Sequence, residues 1–329
     1  GAGLAYEVYS NIKPNPTVEN VKTGVEAFKK SGADYIIAIG GGSSMDTAKA
    51  IGIIINNPDF ADVVSLEGVA PTTKPAVPTF AVPTTAGTAA EVTINYVITD
   101  TEKNRKMVCV DPNDIPVVAI VDPELMVSIP PHLTAYQGFD AFFHAAEGFI
   151  ANCATPISDL YALEAIRLIY KYLPVAVADG KNLKARAKIA WASTLAGMVE
   201  ATSSCTSEHS LEHAMSAYYP QLPHGAGLIA LSEAYFETFR HDCTKRYMKM
   251  AEMMTQKKSN RPSDFIDALI TLQKECKVHS IKLSEFGIQS EDFPKFLQNA
   301  RDTMGGLFTL DPRPITDEEI LHIFKNSYK

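Results

Sequence analysis

The chain has 329 residues, 46% of them hydrophobic, and carries 30 Lys and Arg against 38 Asp and Glu, for a net charge of −8. That length and apolar content support a large core and suggest two domains. The acidic balance excludes a nucleic-acid partner, because phosphate recognition needs concentrated Lys and Arg.

Taken in chain order, Gly1–Tyr9 lacks the make-up of a signal peptide. Val18–Ser31 predicts a helix with Val21, Val25 and Phe28 on one face. Short Val- and Ile-rich runs bounded by Gly, Pro or Asp occur at Tyr35–Ile39, Thr79–Val82, Met107–Val110 and Val117–Val121. Their continuous apolar character suits parallel strands buried on both faces. A helix over Ser44–Asn56 follows the glycines after the first of them. This alternation predicts a doubly wound, Rossmann-like α/β domain over residues 1–126. The basic cluster Lys103, Arg105 and Lys106 reads as a solvated turn.

Beyond Pro130–Pro131 the pattern turns helical, and residues 127–329 predict an all-α bundle domain. Asp159–Leu173 sets Leu160, Leu163, Ile166, Ile169 and Leu173 on one stripe, with Pro174 as its stop. Pro262–Cys276 opens with proline in its first turn and directs Phe265, Leu269 and Leu272 inward. Thr316 and Glu319 form a capping box ahead of Ile320, Ile323 and Phe324. No apolar run reaches bilayer-crossing length. Cys109, Cys153, Cys205, Cys243 and Cys276 are scattered, with no C-x-x-C pair. That excludes a thiolate zinc finger and fits a reducing, cytoplasmic setting without disulfides.

Two polar loops follow predicted strands. Gly40-Gly41-Gly42-Ser43 reads as strand, tight turn and helix start, where a close backbone and unpaired N–H groups suit a phosphate. Pro83-Thr84-Thr85-Ala86-Gly87-Thr88 offers hydroxyls around a glycine. Each alone is an ordinary turn as readily as a ligand loop. Together, at the carboxyl ends of strands, they point to a dinucleotide.

Asp140 and His144 stand four apart in a helical stretch, so both reach one ion. His209 and His213 repeat the spacing, and His224 follows in Pro223-His224-Gly225. His241, His279 and His322 have no such company and read as surface or core residues. One carboxylate with several imidazoles suits Fe(II), Zn(II) or another borderline ion rather than Mg or Ca. Such an ion with an open position polarises a carbonyl oxygen. His209-Ser-Leu-Glu212-His213 also matches H-x-x-E-H, the inverted zinc-protease motif. The residues therefore leave open a zinc-dependent hydrolase with Glu212 as general base, and a cofactor-binding protein with a structural ion.

The run Pro14-Asn15-Pro16-Thr17, Gly40–Ser43 with Asp46 and Lys49, Pro83–Thr93, Lys106 ahead of a strand, Asp140-x-x-x-His144-Ala-x-Glu147, His209-x-x-x-His213 and Pro223-His224-Gly225 resembles the iron-dependent (group III) alcohol dehydrogenase family, in family order and over essentially the whole chain. The resemblance implies an NAD-dependent oxidoreductase acting on a short-chain alcohol, diol or aldehyde of the lactaldehyde/1,2-propanediol type. Its active site would lie in the cleft between the domains. Asp140, His144, His209 and His224 would hold Fe(II), with Zn as the alternative, and His213 would be a catalytic neighbour moving a proton. Gly41, Gly42 and Ser43 would hold the pyrophosphate. Asn15, Thr84, Thr85, Thr88 and Lys106 would line the rest of the cofactor site, with Asn95 on the substrate side. The α/β domain is expected without its first strand–helix units, where family members select NAD over NADP, so both stay open. A homodimer or larger homo-oligomer is implied, with no membrane partner. Glu208, Glu212 and Phe142–Phe143 depart from the usual family residues, which would bear on substrate range.

Overall fold

The computed structural model describes Gly3 and Ala5–Tyr328; Gly1, Ala2 and Leu4 of the Gly1–Tyr9 stretch, and Lys329, lie outside the described residues. The chain divides into two compact units, one of Gly1–Thr84 with Ala90–Asp122 and one of Thr85–Ala89 with Pro123–Lys329.

The first unit is organised by one buried helix. Helix α1 (Val18–Ser31) starts on a Thr17–Asn20 capping box and stops at Gly32, whose φ of 69° is left-handed. Strand β1 (Ile36–Gly40) then runs through the glycine turn into α2 (Gly42–Asn56). Helix α2 is apolar nearly all round, as a helix covered on several sides must be. Met45 and Ala48 pack on Ala38 of β1 and on Ala81 of β3 (Thr79–Pro83). Ala50, Ile51, Ile53 and Ile54 pack instead with Tyr96, Ile98, Met107 and Cys109. These last four belong to β4 (Asn95–Asp100) and β5 (Arg105–Val110).

There are accordingly two small sheets. One is all parallel, in the order β1-β3-β6, with β6 at Val118–Ala119 and the register Ile36↔Thr79 and Phe80↔Val118. The other has the order β2-β5-β4, with β2 at Gly68–Val69.

Three expectations change here. Met107–Val110 is not part of the all-parallel sheet: it pairs in parallel with the short β2, Gly68↔Cys109, and on its other side forms an antiparallel hairpin with β4, in register Asn95↔Val110 to Asp100↔Arg105. The alternation of buried Tyr96 and Ile98 is the signal for β4. In the turn, the Asp100 carboxylate accepts from the N–H groups of Glu102 and Lys103, and Asn104 takes a left-handed φ of 50°. The basic cluster is only partly a solvated turn: Lys103 sits in the exposed turn, whereas Arg105 pairs with Glu67 and Lys106 is buried inside β5. The parallel strands are not buried on both faces either. Side chains alternate along β1, so Ala38 faces α2 while Ile37 and Ile39 are 55% and 64% exposed.

The second unit is helical, as expected. Its long members are α3 (Pro131–Ile150), α4 (Pro156–Ala178), α5 (Leu183–Ser203), α6 (Ser207–Tyr218) and α7 (His224–Thr238). They are followed by α8 (Thr244–Thr255), α9 (Ser263–Glu275), α10 (Phe293–Phe308) and α11 (Asp317–Ser327). The Thr316–Glu319 capping box opens α11. Pro262 precedes α9 as its cap, one position earlier than expected.

Pro174 does not stop α4, which runs on to Ala178. Leu173, Ala176 and Val177 are buried on both sides of it, so packing holds the last turn despite the missing N–H. Leu160 lies off the inward stripe and is 70% exposed; Ala162, Ala165, Ile166, Ile169 and Leu173 form that stripe.

Asp114 is buried, and neither carboxylate oxygen has a hydrogen-bond partner among the described residues. Burial pushes its pKa up to about 8, and the Lys49 ammonium offsets only part of that. The folded chain therefore keeps a proton that the unfolded chain loses near pH 4, and stability falls as pH rises between about 4 and 8. Asp114→Asn is expected to flatten the fall in unfolding free energy, measured by urea titration, between pH 5 and pH 8 by roughly 1–3 kcal/mol. An unchanged slope would show that Asp114 does not carry it.

Candidate metal centre

Three helices of the second unit bring the histidines together. Helix α3 carries Asp140 and His144 on one face, α6 carries His209 and His213, and α7 begins at His224. Small residues let α7 approach α3: a Cβ on Gly225 would stand 2.2 Å from the carbonyl oxygen of Tyr136. Only glycine permits that contact.

Asp140 Oδ1 lies 3.5 Å from His144 Nε2, 3.5 Å from His209 Nε2 and 3.4 Å from His224 Nε2. Bonds of about 2.1 Å to a tetrahedral ion place donor atoms about 3.4 Å apart. The donor atoms of Asp140, His209 and His224 all lie within 4.8 Å of one another. Asp140 Oδ1 and His209 Nε2 are buried, and neither has a hydrogen-bond partner among the described residues. A buried carboxylate oxygen left so, facing three imidazole nitrogens, fits a divalent cation. Burial opposes the charge on Asp140, but His144 and His224 outweigh it and hold the carboxyl well below the usual range. Burial likewise opposes protonation of His224, but Glu212 and Asp140 push its pKa up to about 9.

Behind the imidazoles stand carboxylates to which the sequence reading gave no such role. His209 Nδ1 pairs with Glu147 Oε1, while Glu147 Oε2 accepts from Thr206 N and Oγ1 at 2.9 Å each. His224 Nδ1 pairs with Glu212 Oε2. Glu147 lies seven residues after Asp140, on the same face of α3, which was the available signal. Cys205 is a further neighbour, its sulfur within 4.8 Å of donor atoms of His144 and His209.

His213 sits beside the cluster, its ring centroid 5.0 Å from that of His224, and its donor atoms group with Glu212 and His224. His241, His279 and His322 make local hydrogen bonds with Arg240, Gln273 and Asn326. His132, not singled out from the sequence, is exposed at the start of α3 against Tyr136.

Residues 1–123 match the family described as iron-containing alcohol dehydrogenase, and residues 134–328 match the C-terminal part of the Fe-containing alcohol dehydrogenase family. The chain belongs to the iron-containing alcohol dehydrogenase family. It is 42% identical to lactaldehyde reductase of Escherichia coli K12, over 99% of this chain and 85% of that protein. It is 36% identical to the NAD-dependent methanol dehydrogenase of Bacillus methanolicus, over 99% and 85%. The alcohol dehydrogenase structure from Oenococcus oeni superposes with a TM-score of 0.92 at 34% identity, covering 99% of this chain and 85% of that one.

In this alcohol dehydrogenase the residues expected to bind cofactor fall into several groups. Gly41, Gly42 and Ser43 form the start of α2, and the N–H of Thr84 donates to the Gly40 carbonyl at 2.8 Å, drawing the two loops together. Asn15, with a left-handed φ of 54°, and Lys106 both lie close to Thr99: Lys106 is its register partner, and Thr99 N donates to Pro16 O at 2.7 Å. Asn95 stands at the other end of β4, where its carbonyl accepts from Lys49 Nζ at 2.8 Å. Thr85 and Thr88 belong with the second unit, in a segment where the Gly87 carbonyl accepts from Ser193 Oγ at 3.3 Å.

Phe142 and Phe143 are fully buried and stack on Phe265 and Phe236 respectively. Glu208 is also fully buried, and burial together with Glu147 holds its pKa well above the carboxylate range.

Elemental analysis after dialysis is expected to find about one ion per wild-type chain, and a loss to background in Asp140→Ala and in His209→Ala. His213→Ala is expected to keep its ion. Full retention in Asp140→Ala would dismiss this centre.

Proposed function

We propose that this alcohol dehydrogenase transfers a hydride between NAD(H) and a short-chain alcohol, diol or aldehyde of the lactaldehyde/1,2-propanediol type. Asp140, His144, His209 and His224 would hold Fe(II), with Zn(II) as the alternative. The observation that carries the reading is the buried Asp140 Oδ1 held 3.4–3.5 Å from three imidazole nitrogens. The relatives named above, a lactaldehyde reductase and an NAD-dependent methanol dehydrogenase, supply the substrate class and the cofactor.

A divalent ion in this centre supplies Lewis acidity that polarises a C–O bond, and the nicotinamide supplies or accepts the hydride. The chain's own residues do the rest. Asp140 contributes the negative charge that keeps the ion, and the imidazoles orient it. His213, whose Nδ1 is buried, takes or returns the hydroxyl proton at Nε2. The first N–H groups of α2 have no intrahelical acceptors and offer a seat to the pyrophosphate. Gly40 keeps that seat open: its φ is 149°, and a Cβ there would lie 2.3 Å from Ser44 Oγ. NAD is preferred here to NADP on the relatives' evidence alone. No described helix is long and apolar enough to cross a membrane.

The hydrolase reading is set aside. Glu212 is fully buried and its Oε2 is bonded to His224 Nδ1, so it is not placed to activate water between His209 and His213.

Protein loaded anaerobically with Fe(II) is expected to reduce NAD with 1,2-propanediol or a short primary alcohol, to lose the activity on chelation and to regain it with Fe(II). The reading fails if the metal-loaded protein leaves the nicotinamide absorbance unchanged with every short alcohol and aldehyde offered. Gly40→Ala is expected to raise the KM for the dinucleotide at least about tenfold, with metal content unchanged.

A further inference from the structure

The H-x-x-E-H stretch leaves Glu212 without a part in the proposed reaction. Its side chain has no exposed surface, and a buried carboxylate persists only where positive charge or hydrogen-bond donors compensate it. Its Oε2 meets His224 Nδ1, while His224 Nε2 points to Asp140 Oδ1 at 3.4 Å. An imidazole that donates its Nδ1–H to a carboxylate keeps its lone pair on Nε2 and its ring in one orientation.

The three proposed imidazole ligands are not equivalent. His209 is backed by Glu147, whereas His144 Nδ1 has no hydrogen-bond partner among the described residues. His224 is the most open of the three, with 25% of its side chain exposed against 6% for His144 and 5% for His209. Surrounding walls therefore restrain its ring least, which leaves a larger share of that task to the carboxylate behind it. Helix α7 is also shaped around that carboxylate. A Cβ on Gly227, three residues beyond His224, would stand 2.8 Å from Glu212 Cγ and 3.0 Å from its Oε1. Any larger residue there would displace Glu212 from His224.

We propose that Glu212 is a positioning residue that acts through His224, fixing its tautomer and ring so that Nε2 faces the ion, and that Gly227 keeps the space it needs. This rests on the metal centre proposed above. The test uses the full chain, stripped by chelator and titrated with Zn(II) against a competing chelator, and with Co(II) for its visible spectrum. Glu212→Gln and Glu212→Ala are expected to bind Zn(II) about 10–100-fold more weakly than wild type, with an altered Co(II) spectrum and unchanged circular dichroism. Gly227→Ala, which leaves all four ligands in place, is expected to weaken binding in the same sense. The proposal is overturned if a folded Glu212 variant binds Zn(II) within about twofold of wild type and gives the same Co(II) spectrum. Should Glu212→Ala not fold, the nearly isosteric Glu212→Gln decides alone. Wild-type protein that takes up neither ion would instead refute the metal centre itself.

Discussion

Asp140 places a carboxylate oxygen in the interior of a helical unit, where water cannot solvate it, and surrounds it with three imidazole nitrogens. Such a group is costly unless a cation or protons balance it. Much of the second unit follows from meeting that cost. Gly225 brings the start of α7 against α3, and Glu147 and Glu212 steady two of the rings. Thr206 and Tyr235 extend the hydrogen bonding behind Glu147, so its remaining oxygen is satisfied as well.

The first unit depends on a different constraint. Helix α2 is apolar on several sides and packs with residues of both small sheets, so its start is fixed from both directions. The Asp46 carboxylate accepts from Val97 N at 3.1 Å, and Lys49 donates to carbonyls of Thr93 and Asn95 at 2.6 and 2.8 Å. The glycine turn ahead of the helix is therefore held by the body of the unit. A rigid helix start is what a site offering backbone N–H groups to an anion requires.

Local physics made parts of this legible from sequence. The i,i+4 spacings of Asp140/His144 and His209/His213 are fixed by helix geometry, so their shared faces could be read directly. The cap at Thr316 and the glycine turn after β1 are likewise local. The hairpin of β4 and β5 was missed because β4 mixes Asn, Thr and Asp with its apolar residues, and pairing is a nonlocal fact. Pro174 misled because propensity was overridden by packing. The spacing of Glu147 from Asp140 fixes its face, but which ring nitrogen Glu147 or Glu212 reaches depends on a histidine from another part of the chain, and no spacing encodes that. H-x-x-E-H matched a protease pattern for the same reason: the motif fixes faces on α6 but not what α3 and α7 bring to them.

The proposed ligands come from α3, α6 and α7, and the chain between Asp140 and His224 includes all of α4 and α5. An ion held by those side chains ties the two ends of that long stretch together in the folded state only, so its binding free energy adds to the stability of the helical unit. The same ligand set then works as a clasp on the helical unit. Iron supply would govern how long the protein survives proteolysis, as well as how fast it turns over.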